Sequence, residues 1–71
     1  MQEYKQAFVV TCENGQMWLS VVMGEDSKHG EGLALSEVGY MTGCQVWDSC
    51  DYPVTSDLKL GTRLMRWPLN Y

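Results

Sequence analysis

The clearest pattern in the chain lies between residues 5 and 23, where apolar side chains recur at alternate positions on both sides of Asn14-Gly15. A type I′ turn needs positive φ at both central residues, and Asn-Gly tolerates this well, so the dipeptide predicts a β-hairpin with a two-residue loop. That loop sets Cys12 opposite Met17, Val10 opposite Leu19 and Phe8 opposite Val21. One face then carries Phe8, Val10, Cys12, Met17, Leu19, Val21 and Met23, all apolar. The other carries Ala7, Val9, Thr11, Trp18, Ser20 and Val22, a mixed set. The first face is expected in the core, and the second is expected to be covered by a later element or used for contact. A slip of one residue would spoil the match between the apolar sets.

Beyond the hairpin the pattern weakens. Residues 24–32 hold three Gly, three acids, Lys28 and His29 without an apolar anchor, which predicts a mobile solvated loop. Residues 33–43 predict a helix of at most two turns. Ser36 suits its N-cap, Glu37 suits the positive end of its dipole, Leu35 packs on Tyr40, and Gly43 closes it. Ala34, Val38 and Met41 fall at helical spacing, while Gly39 weakens the helix by about 1 kcal/mol relative to Ala. Residues 44–51 alternate as a strand, with Cys44, Val46, Asp48 and Cys50 on one face and Gln45, Trp47, Ser49 and Asp51 on the other. Pro53 ends it or places it at an edge, and residues 54–57 read as a turn. Residues 58–67 predict one or two further strands, with a bulge or tight bend at Gly61 and Pro68 as the stop. The expected fold is a small α+β domain, mainly an antiparallel sheet with one short helix. A small, partly open β-barrel is the alternative.

Length changes the picture by limiting the core. Seventy-one residues make a single domain, 1–71, whose core supplies roughly 3–5 kcal/mol, so added support from disulfides, a metal or self-association is worth testing. The three Cys, at 12, 44 and 50, are an odd number. Cys44 and Cys50 on one strand would stand about 20 Å apart and cannot bond. No basic segment followed by a long apolar stretch opens the chain, and no apolar run approaches the length of a membrane span. Reduced thiols in the cytoplasm are therefore expected. Cys12, His29, Cys44 and Cys50 lack the short spacings that hold two zinc ligands on one knuckle, so neither a metal nor another cofactor is expected. Self-association, as a homodimer, is the support that remains.

Charge sharpens the functional choice. The net charge of −4 divides into −7 over residues 1–57 and +3 over residues 58–71, where Lys59, Arg63 and Arg66 meet no acid. The plainer reading is that the basic strand pairs with acids from elsewhere; the functional one is a polar molecule whose two ends meet different partners, or each other in an oligomer. Enzyme chemistry finds little purchase. His29 lies in the predicted loop with nothing to orient it as a base, and the acids do not predict a cleft or a calcium loop. Gly24, Gly30 and Gly32 do not form a phosphate-binding loop. A nucleic-acid-binding small β domain using the basic, aromatic C-terminal segment is the runner-up. Five basic residues in an acidic chain argue against it. What remains is a non-enzymatic module that recognises a larger protein, as a small regulator or inhibitor. The chain is rich in Trp, Tyr and Met, which are prominent in interfaces and binding hot spots. The expected contacts are Trp18, Trp47, Arg63, Arg66 and Trp67. The competing structural reading packs the three Trp side chains together as a second small core.

Overall fold

The computed structural model describes residues 2–65. The chain forms β1 (Tyr4–Cys12), β2 (Met17–Gly24), α1 (Ser27–Thr42), β3 (Val46–Asp51) and β4 (Gly61–Leu64). The strands make one antiparallel sheet in the order β3-β1-β2-β4. This is the α+β architecture expected, with the hairpin at its centre and β3 and β4 at its edges.

The hairpin itself differs from expectation by one residue. Thr11 pairs with Met17, Val10 with Trp18 and Phe8 with Ser20. The loop is three residues long: the Cys12 N–H donates to the Gln16 carbonyl at 2.8 Å and the Gly15 N–H to the Cys12 carbonyl at 2.9 Å. Gly15 alone in the loop takes positive φ, at 88°, while the Asn14 carboxamide accepts the Gln16 N–H at 3.0 Å. A turn followed by a left-handed Gly needs only one permissive residue, and Asn14 is used for its side chain. Because side chains alternate, the shift moves every β2 residue to the opposite face. Phe8, Val10 and Cys12 share their face with Trp18, Ser20 and Val22; Ala7 and Val9 share theirs with Met17, Leu19 and Val21.

Both faces are buried. Phe8, Val10 and Cys12 pack beneath α1 with Ala34 and Val38, and Trp18, Val22, Leu35, Cys44 and Val46 close around them. On the other side Ala7, Val9, Leu19 and Val21 pack with Met17, Tyr52, Leu58 and Met65. The segment from Tyr52 to Leu60 crosses from one edge of the sheet to the other. It is tied down where the Tyr52 N–H donates to the Ala7 carbonyl at 2.9 Å and Lys5 Nζ to the Leu58 carbonyl at 2.7 Å. Ser20, fully buried, shares a 2.9 Å hydrogen bond with the Thr62 hydroxyl and so links β2 to β4.

Residues 24–32 are not a loop, and Ser36 is not a cap. The helix begins at Ser27 with Asp26 as its N-cap, whose carboxylate accepts the His29 N–H at 2.8 Å. His29 Nδ1 in turn accepts the Glu25 N–H at 3.1 Å. The pair satisfies two donors reciprocally, as a capping box does, but His29 reaches back to the amide of Glu25, one residue before the cap. Gly30, Ala34 and Val38 form the buried stripe at i, i+4 and i+8. Gly43 ends the helix at φ 69° as expected. Leu35 faces the sheet-side core, whereas Tyr40 is 89% exposed, so the predicted staple between them does not form.

The outer strands begin later than expected, and residues 66 and 67 of the fourth lie outside the described residues. The third begins at Val46 rather than Cys44, and the fourth covers Gly61–Leu64 within the 58–67 interval. No described helix is long and apolar enough to cross a membrane.

Candidate protein-binding groove

The site grows out of an irregularity in β3. Thr11 pairs with Asp48 and Cys12 with Val46, so Trp47 is the extra residue of a β-bulge. The bulge breaks the predicted alternation: Val46 and Ser49 now turn toward the helix side, and Trp47 is left 69% exposed. Between β3 and α1 lies an open groove of roughly 280 Å3, lined by Glu31, Leu35, Val46, Trp47, Asp48 and Ser49. Leu35 and Val46, each half-buried, give it apolar walls. Glu31 and Asp48 make it acidic.

These polar groups are ordered by one another. The Ser49 hydroxyl donates to the Glu31 carboxylate, fixing strand to helix, and the Ser49 N–H donates to Asp48 Oδ1 at 2.9 Å. In the β1–β3 ladder the Tyr52 N–H points at Ala7, so strict alternation directs the Ser49 amide away from β1, to the open edge. The Asp48 carboxylate therefore covers a free edge donor. A bulge and an inturned charge are devices that keep an edge from pairing with another strand.

The predicted contact residues do not form one surface among the described residues. Trp47 stands on the β3 edge. Trp18 lies on the helix face of β2, between Val10 and Leu64, half-buried against the core beneath α1. Its Nε1 is buried and has no hydrogen-bond partner among the described residues. Arg63 is exposed on β4, at the opposite edge and on the other face, beside Leu19, and donates to the Lys59 carbonyl at 3.2 Å. Trp18 and Trp47 thus do not stack into a second core. Arg66 and Trp67 lie outside the described residues. The groove residues Glu31, Leu35 and Asp48 were missed by sequence reasoning, since 24–32 read as loop and the bulge left no mark in the alternation.

Chemically the groove offers acceptors, an indole and methyl groups. His29 lies at the helix N-terminus with its Nδ1 engaged by the Glu25 amide. Among the described residues no three His, Cys, Asp or Glu side chains gather as a metal site. The three thiols are unbonded, Cys12 buried and Cys50 exposed. No family model matches the chain, and neither a curated protein nor a solved structure matches it significantly.

Proposed function

We propose that the chain is a non-enzymatic protein-interaction module. In this reading it is a small cytoplasmic regulator or inhibitor, of the accessory type common in phages and mobile elements, that blocks a surface of a larger protein, alone or as a homodimer. The observation that carries the proposal is Trp47: a bulge holds it 69% exposed beside a groove with apolar walls. An indole presented in this way gives up its burial energy in the free protein and recovers it when a partner covers it. Such aromatic anchors dominate the energetics of many interfaces.

The test is affinity capture with tagged wild-type chain and Trp47→Ala, from source-cell lysate at low and high salt. The expected result is a protein held by the wild type at both salts and lost by the variant, with unchanged circular dichroism. Capture of nucleic acid at low salt only would favour the basic-segment reading instead. If every retained protein were indifferent to Trp47, the proposal would be overturned.

A further inference from the structure

We infer that the groove between α1 and β3 receives an apolar side chain flanked by Lys or Arg, presented by a partner protein. This inference rests on the interaction reading above and adds the chemistry of the partner. The apolar part follows from Leu35, Val46 and Trp47. The cationic part follows from what surrounds them. Glu31 and Asp48 border the groove, no Lys or Arg is among its lining residues, and Lys28, three residues before Glu31, is the one Lys or Arg on the two elements that form it. The nearest later cations, Lys59 and Arg63, belong to the β4 side of the sheet. A neutral or acidic partner would cover these carboxylates without pairing them, at a desolvation cost. A guanidinium or ammonium group would pair with them and lie against the indole face.

Two other occupants fit less well. A strand added to the β3 edge would meet the bulge at Trp47 and the Asp48 carboxylate on the Ser49 amide. A second copy docking through the same face would bring Glu31 and Asp48 against their own equivalents, like charge against like. The partner therefore engages through side chains.

The experiment is selection of short random peptides displayed on phage against three immobilised targets: wild type, Trp47→Ala and the double variant E31K/D48K. Peptides that bind the wild type and not Trp47→Ala are expected to be enriched in Lys and Arg beside an apolar residue. A selected peptide should lose about tenfold or more in affinity on E31K/D48K. Selection on that variant should reverse the preference toward Asp and Glu. If the double variant fails to fold, E31Q and D48N, each near the original shape, are read singly for the same loss. Trp47-dependent peptides without a basic excess, or with unchanged affinity on the charge variants, would overturn this inference and leave the interaction reading standing. Absence of any Trp47-dependent peptide would overturn both.

Discussion

Single side chains decide several boundaries that average propensity does not. Asp26 and His29 start α1 by exchanging hydrogen bonds with the backbone, although the first turn carries no acid and is followed by Gly30 and Gly32. Asp57 is a similar local arrangement in the crossing segment. Its carboxyl is held below the usual aspartate range, first by the hydrogen bond from the Thr55 hydroxyl, then by its own backbone amide, with Lys5 adding attraction against a small effect of burial. A depressed folded-state value means that the ionised form is favoured by folding. That contribution is present above the unfolded-state pKa and disappears as pH falls through the folded one. Thr55→Val is expected to move the Asp57 titration upward, toward the ordinary range, and to weaken the acid-side dependence of stability. Titration of the carboxyl carbon by NMR reads this directly, and an unchanged midpoint would assign the shift to the backbone and Lys5.

At the scale of elements, the fold is set by how closely α1 can approach the sheet. A Cβ added at Gly24 would come within 2.8 Å of the Gly30 Cα and backbone nitrogen. One added at Gly30 would meet the Gln6 carboxamide, which can swing aside. Gly24→Ala is therefore expected to destabilise by about 1–3 kcal/mol, as overpacking against backbone does. Gly30→Ala should cost less, because a gain of about 1 kcal/mol in helix propensity offsets the displacement of Gln6. Denaturant unfolding of the two variants gives the comparison, and equal costs would refute the close-approach argument. The same packing explains what could be read in advance. The β-hairpin, the helix end at Gly43 and the strand around residues 46–51 were legible from turn chemistry and alternation. The register was not, because Ala7, Phe8, Val9 and Val10 are all buried and β1 satisfies either pairing. The helix start was not, because Gly24 and Gly30 look like loop residues until a neighbouring backbone is seen to need the space.

At the scale of the molecule, both faces of the central hairpin are covered: α1 covers one side and the crossing segment covers much of the other. Apolar side chains are thus used on both sides, and an aromatic residue left outside stands apart from the core. Trp18 was legible as a hairpin residue, but its role was not, since the register decides which side it faces. Trp47 was legible as a strand residue on the face opposite Val46, but its groove was not, since the bulge and Glu31 are tertiary features. The two Trp positions separate the structural and functional readings of the aromatic content. Trp18 packs on the core beneath α1, and Trp18→Ala should cost about 3 kcal/mol or more, enough to leave a domain of this size largely unfolded. Trp47 is mostly in solvent, and Trp47→Ala should change stability by no more than about 0.5 kcal/mol. Thermal and urea unfolding of both variants makes the comparison. A large loss for Trp47→Ala would return that side chain to the core and remove the anchor on which the interaction proposal depends. A negligible loss, with partner binding abolished, would mean that the bulge holds Trp47 in water for recognition at little cost to the fold.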